Sequence, residues 1–342
     1  MGVPLQLCMT AVLPLYPIHA LSQTAAEPPK QALTVTTRLV FVPVLVRSPA
    51  GDLVHELSAS DFELLDDSVP QKVSLEPSSP QPLSVLVLMQ IGGAANRQFG
   101  YYSKLPTMLD YIAGSSPYRV SLVTFDSQPE DQWGFTSKAD DLKDGFLHPQ
   151  PGDHGAAIFD ALKFGITQLA QRPPGTRRVL ILLSQPQDDG SKAHAEDIVR
   201  LLGEDNITIF SLTFSPEKTW LKDQFTKPRA EAAPYQMSPD HPPILHTFDL
   251  MTPLLEAISA MRKNAASEIT SLAGGESLPF DNEKSLASEL ALLANYIPNH
   301  YVLTFRPTSD RTGFHSLQVR VRNHPEFAVS TRTSYWSTSD AR

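Results

Sequence analysis

Asp153-His154 and Asp188-Asp189 are the residues of this chain whose types could do chemistry. Three carboxylates and an imidazole, with Asp126 near them, could hold a metal or divide acid and base roles in a hydrolysis. No spacing signature accompanies them: G-x-S-x-G, the phosphate-binding G-x-x-x-x-G-K-S/T, C-x-x-C and H-E-x-x-H are all absent. Short polar residues after strands also cap helices and solvate loops, and without a signature that reading carries more weight. His241 and His246, with Asp240, have an H-x-x-x-x-H spacing but sit beside Pro242-Pro243, as solvated loop histidines would rather than zinc ligands. Asn206-Ile207-Thr208 is a glycosylation sequon by pattern, yet it leads into an apolar run and makes a poor acceptor.

The elements that would position such residues are apolar runs. The stretch Leu83 to Ala95 (LSVLVLMQIGGAA) begins as a continuous run rich in aliphatic residues, as expected of a strand buried on both faces of a parallel sheet, and it breaks at Gly92-Gly93. Arg178 to Ser184 ends as abruptly in Gln185-Pro186-Gln187-Asp188-Asp189-Gly190, and Ile207 to Phe214 follows after a helical pattern. Further strands are expected at Arg119 to Phe125 and around Gln132 to Phe135. Helices are expected at Arg97 to Ala113, Ala156 to Ala170, Lys192 to Leu202 with Gly203 as its cap, Pro253 to Ala273, and Ser285 to Tyr296. In open α/β sheets, ligands sit beyond the carboxyl ends of the strands, where the strand order reverses. The residues at those ends therefore carry the functional question.

The phrases around the runs resemble the von Willebrand factor type A family, and more narrowly the bacterial VWFA-related secreted proteins. That family usually ends its first strand in Asp-x-Ser-x-Ser, supplies a Thr from a later loop, and ends its fourth strand in an Asp, forming a metal-ion-dependent adhesion site. Here the first phrase is Gln90-Ile91-Gly92-Gly93-Ala94; the loop phrase Gly155 to Leu162 (GAAIFDAL) puts Ala156 at the Thr; and Ser184-Gln185-Pro186-Gln187-Asp188 puts Gln185 at the last Asp. All five ligand positions are substituted, so no metal and no cofactor is expected. The vestigial face would comprise Gln90, Gly92, Gly93, Ala94, Asp153, His154, Ala156, Gln185 and Asp188.

The resemblance extends outside that region. Thr36 to Val73 is similar to the family's upstream segment, with alternating positions at Leu39, Phe41, Pro43 and Leu45, a turn at Pro49 to Asp52, and Phe62, Leu64 and Leu65 leading into an acidic turn at Asp66-Asp67. Ala294 to Phe305 and Phe314 to Tyr335 are similar to its terminal strands, closing on an R-x-x-Y phrase at Arg332 to Tyr335. The resemblance thus implies a doubly wound, mostly parallel, Rossmann-like α/β sheet over 82–297, with a small accessory β module from both chain ends, 32–77 and 298–336. It also implies an adhesion-type, non-enzymatic binding function toward a protein or cell-envelope ligand. A ligand-free envelope scaffold is the further alternative beside an enzyme-like site.

Length and composition agree with one α/β domain plus a module: 342 residues with 41% hydrophobic content can bury a sizeable core. A net charge of −9 and the lack of any Lys/Arg run argue against nucleic acid as a partner. Met1 to Ala26 is mostly apolar from Val3 to Ala20 and then small-residue-rich. It reads as a secretory signal lacking a basic start, which places the mature chain in the periplasm, cell envelope or outside the cell. Pro14 and Pro17 interrupt this short segment, so no stable membrane span is expected. Cys8, the only cysteine, falls within it, leaving a mature chain without disulfides. Residues 215–247 are polar, Pro-rich and aperiodic, and are expected to form a mobile surface excursion.

Overall fold

A computed structural model describes Gly2 and residues 39–76, 81–113, 116–214 and 251–338; the expected signal segment and the excursion 215–247 lie outside them. The first four strands are β1 (Val40–Arg47), β2 (Phe62–Asp66), β3 (Val69–Gln71) and β4 (Val73–Leu75). The α/β part follows with β5 (Leu83–Gln90), α1 (Leu105–Ala113), β6 (Tyr118–Phe125), β7 (Pro129–Thr136), α2 (Lys143–Leu147), α3 (Ile158–Ala170), β8 (Arg177–Ser184), α4 (Ala195–Glu204) and β9 (Ile207–Phe214). It continues through α5 (Met251–Lys263), α6 (Ala265–Ala273), β10 (Ser277–Phe280) and α7 (Glu283–Tyr296). The chain ends with β11 (Tyr301–Phe305), β12 (Gly313–Val321), β13 (Ala328–Thr331) and β14 (Ser334–Ser337).

Every residue of β5 is buried, because the strand lies between parallel neighbours β6 and β8 and has helices over both faces. Its odd-numbered residues Val85, Val87 and Met89 pack with Leu105 and Leu109 of α1 and Leu290 and Leu293 of α7. Leu86 and Leu88 pack on the other side with Leu162 and Ile166 of α3 and Ile198 of α4. The sheet order is β10-β9-β8-β5-β6-β7, with β7 antiparallel at the edge. From β5 the chain winds outward through β6 and β7, then returns to the other side as β8, β9 and β10. The strand order therefore reverses between β5 and β8.

The strands from the two chain ends form two four-stranded antiparallel sheets, β13-β1-β11-β4 and β14-β12-β2-β3. They enclose a core of Val40, Val42, Val44 and Val46 against Phe62, Leu64, Leu317 and Tyr335. These valines, not the alternating set Leu39, Phe41, Pro43 and Leu45, face the sandwich core; Pro43 packs instead against the α6–β10 turn at Gly274. The β2–β3 connection is a two-residue hairpin in which Asp67 and Ser68 both have positive φ, 46° and 68°. That geometry matches the twist of the paired strands.

Three expected helices have different limits. Residues 93–104 wind as 3-10 turns and the α-helix starts only at Leu105, because Pro106 fits the first turn of a helix but not its interior. The stretch 253–273 is two helices divided at Asn264, whose Oδ1 accepts from Ser267 N at 3.0 Å as an N-cap. Gly203 lies inside α4 rather than after it. A Cβ there would stand 2.5 Å from the Trp336 backbone, so glycine is what lets α4 dock on β14.

Candidate functional site

Gln90 ends β5 and Gln185 follows β8, so the order reversal brings two neutral amides together at the carboxyl edge of the sheet. Gln90 is fully buried. Its Oε1 accepts from Gln185 N at 2.8 Å, while its Nε2 donates to Gly92 O at 3.0 Å and to Gln185 Oε1 at 3.3 Å. Gln185 Nε2 donates onward to Gln187 O at 3.0 Å. The pair ties two adjacent strand ends together and uses its amide groups on one another and on the backbone.

Gly92 permits the loop before α3 to close over this point. A Cβ on Gly92 would fall 2.2 Å from Gly155 O and 2.7 Å from Asp126 Cβ. Gly93, at φ 57°, donates its N–H to Asp153 O at 2.8 Å. Asp126, nearly buried after β6, accepts from Asp153 N at 2.9 Å and from Gln128 N at 3.3 Å. Exposed Asp153 accepts from the Ser127 hydroxyl and, at 2.7 Å, from Gly155 N; these bonds hold its carboxyl below the usual range. His154 is exposed beside it, with its carbonyl facing Gly93.

Asp188 has another task. Ala157, at the N-cap of α3, has no side chain to cap the helix, and Asp188 Oδ1 supplies the acceptor across the loop, taking Phe159 N at 3.1 Å and Ser191 Oγ at 2.6 Å. Burial raises the Asp188 carboxyl, with the bonds from Ser191 and Phe159 opposing it. Asp160 of α3 returns the support by accepting from Lys192 N and Ala193 N at 2.9 and 2.8 Å. Ala156 and Asp189 exchange backbone hydrogen bonds at 3.0 and 2.9 Å, so Ala156 is buried and Asp189 contributes through its main chain. Ala94 packs against the apolar core. Gln90, Gly92, Gly93, Asp153, His154 and Gln185 thus share one location, and Ala156 and Asp188 brace the adjoining helix start.

Residues 102–233 match the von Willebrand factor type A domain family. The match spans less than half of the chain, and the α/β part described above has the type A fold. Among solved structures, an aerotolerance-related membrane protein from Bacteroides fragilis is similar at 14% identity, over 62% of this chain and 98% of that one, with a TM-score of 0.40. BatB from Bacteroides thetaiotaomicron is 14% identical over 62% of this chain and 99% of its own, with a TM-score of 0.37. The PilB minor pilin from Streptococcus sanguinis is 11% identical over 65% and 63%, with a TM-score of 0.40. These likenesses are distant, and the assignment rests on the family match. No curated protein matches the chain.

The resemblance assigns cation ligands of the type A domain to Gln90, Gly92, Ala94, Ala156 and Gln185. Three of these residues have no side-chain oxygen. The other two offer neutral amide oxygens already engaged with Gln185 N and Gln90 Nε2. A hard divalent cation takes six or more oxygens, usually with carboxylates among them, so this donor set does not fit one.

Sequence reasoning missed a second polar cluster, in the sandwich. His315, fully buried on β12, directs Nδ1 to Asp66 Oδ1 and Asp67 Oδ2, both at 3.0 Å, and Nε2 to Arg311 O at 3.0 Å. Tyr335 donates to Asp66 Oδ2 at 2.8 Å, and Arg311 pairs with Asp67. Burial pushes the imidazole pKa down, but hydrogen bonds to Asp66 and Asp67 outweigh it and raise the value to about 9. Burial likewise opposes ionisation of Asp67, yet bonds from His315, Ser316 and Arg311 bring it to about 2.

Proposed function

We propose that this chain is an exported, non-enzymatic binding protein whose type A domain captures a protein or other cell-envelope ligand without a bridging cation. The Gln90–Gln185 pair carries the reading: where a metal-dependent domain would present charged oxygens, two amides bond each other and close the strand ends. The remaining surface is a shallow polar face around exposed Asp153, His154 and Gln187, suited to ordinary hydrogen-bonded contact. The employment of Asp188 as a helix cap and of Asp153 as a loop brace counts against an enzyme built on those groups. Among the described residues no helix is long and apolar enough to cross a membrane.

Calorimetry of the purified chain with Mg²⁺, Mn²⁺ and Ca²⁺ should show no saturable one-to-one isotherm, and capture of a partner from envelope extract should be indifferent to chelator but weakened by His154→Ala. An isotherm abolished by Gln90→Ala, or capture that chelator removes, overturns the proposal. His154 is a better probe than Gly93, whose left-handed φ would strain any larger residue.

A further inference from the structure

The link from α7 to β11, residues 297–300, lies at the amino edge of the parallel sheet, opposite the amide pair: Arg177, the first residue of β8, donates Nη2 to Ile297 O at 2.6 Å. Both ends of the link are fixed. Leu290 and Leu293 hold α7 in the core, and the Tyr301 hydroxyl donates to Val54 O at 2.9 Å and accepts from Leu57 N at 3.1 Å. Between them His300 makes a T-shaped contact with Phe210 of β9, the ring centroids 5.8 Å apart. Its Nδ1 stands 2.7 Å from Tyr296 O, at the last residue of α7, and its Nε2 is buried without a hydrogen-bond partner among the described residues.

Only the neutral ring fits there. A carbonyl accepts and cannot donate, so Nδ1 carries the proton and Nε2 keeps a lone pair. A second proton would create a charged N–H at Nε2 with no acceptor, and it would add a cation beside Arg177. Burial pushes the imidazole down, the bond to Tyr296 O opposes this, and Arg177 lowers it again, to about 4 against 6.5. The ring thus meets an apolar ring from β9, a carbonyl from α7 and a guanidinium from β8. Glu276, linked to Tyr296 through Arg47, is already held by Arg47 at 2.8 Å and by Ser330 at 2.6 Å. Glu289 of α7 is raised by burial and by Glu276, so it takes up its proton more readily in the folded chain and works against opening in acid.

We infer that His300 is an acid-released latch: the uncharged ring holds the α7–β11 link against the sheet at neutral pH, and a second proton in acid expels it and frees residues 297–300. The Gly203–Trp336 contact of α4 with β14 carries no titratable group, so the sandwich stays docked while the link opens. His300 has its folded value below the unfolded one; its contribution is therefore complete above 6.5 and is lost as pH falls from there through about 4. From these two values, opening of the link becomes about thirtyfold more favourable between about pH 8 and about pH 5. The latch lies at the far edge of the sheet from the type A face and is independent of the proposal for that face.

Hydrogen exchange of the full chain, expressed as protection relative to each amide's intrinsic rate, tests this together with an NMR titration of the His300 ring. Protection over residues 297–301 should fall about thirtyfold between about pH 8 and about pH 5 and return on neutralisation, with α4 and β14 unchanged. His300→Phe keeps a ring against Phe210 but takes up no proton, and its protection should not vary over that range. Arg177→Gln is the second variant should His300→Phe not fold; with the repelling charge gone, its release should move to higher pH. His154→Ala should leave the acid response as it was, which keeps the two proposals separable. The inference is overturned if His300 titrates near 6.5 in the folded wild type, if residues 297–301 stay protected at about pH 5, if folded His300→Phe loses protection as wild type does, or if folded Arg177→Gln releases at the wild-type pH.

Discussion

Gln90→Met keeps the length of the side chain and removes every hydrogen bond it makes. The partners lose unequally. Gln185 N, at 2.8 Å, lies under the closed loop and is left unsatisfied, at about 1–3 kcal/mol, whereas the carbonyl of buried Gly92 keeps its bond from Ala95 N at 3.1 Å and loses less. Gln185 Oε1 belongs to a half-exposed side chain and recovers water, so its loss adds little. Burying the methionine returns about 1 kcal/mol, leaving a net destabilisation of roughly 1–2 kcal/mol. Urea denaturation followed through Trp133, which packs on the α/β core, should move its midpoint down by about 0.5 M with an unchanged slope. Gln187→Met, at an exposed position of the same loop, is the control and should change stability by less than about 0.5 kcal/mol. A Gln90→Met midpoint indistinguishable from that control would refute the amide pair as the closure of the strand ends.

Two further outcomes follow from the loops and the sandwich. Asp188→Ala removes one of the two acceptors of Phe159 N, and with it the partner that orients the other, Ser191 Oγ at 3.0 Å; it should cost about 1 kcal/mol, with faster amide exchange at Phe159 as its local signature. His315 is protonated up to about 9 in the folded chain against 6.5 in the unfolded one, so the folded state holds the extra proton across that window. Its contribution is therefore complete below 6.5 and disappears as pH rises through about 9; the stability gap between wild type and His315→Gln should shrink between about pH 7 and about pH 10.

The parallel sheet was legible because β5, β8 and β9 are uninterrupted aliphatic runs, a pattern that burial on both faces imposes. Gln90 and Gln185 could also be placed, since each stands directly after such a run. Their bonding to each other could not be read, because it depends on β5 and β8 being neighbours. Asp188 looked like a site residue from its place after a strand, and only the geometry of α3 reveals it as a cap. The His315 cluster had no local signal at all: its hydrogen bond to Asp66 spans 249 positions of sequence, and Asp66-Asp67 alone reads as an acidic turn. The parity of β1 was equally hidden, as both of its alternating sets are apolar.

The sandwich has a consequence for how the chain is made. Among the described strands β1 pairs with β11 and β13, β4 with β11, and β2 with β12 besides its own hairpin. β4 ends at Leu75 and β11 begins at Tyr301, with the whole type A domain synthesised between them. At the usual 5–20 residues per second, the first strands wait on the order of ten to forty-five seconds for partners, with unpaired edges and a valine-rich face in solvent. The type A domain, whose parallel sheet draws every strand from residues 83–280, can meanwhile fold and bring the two halves of the sandwich within reach.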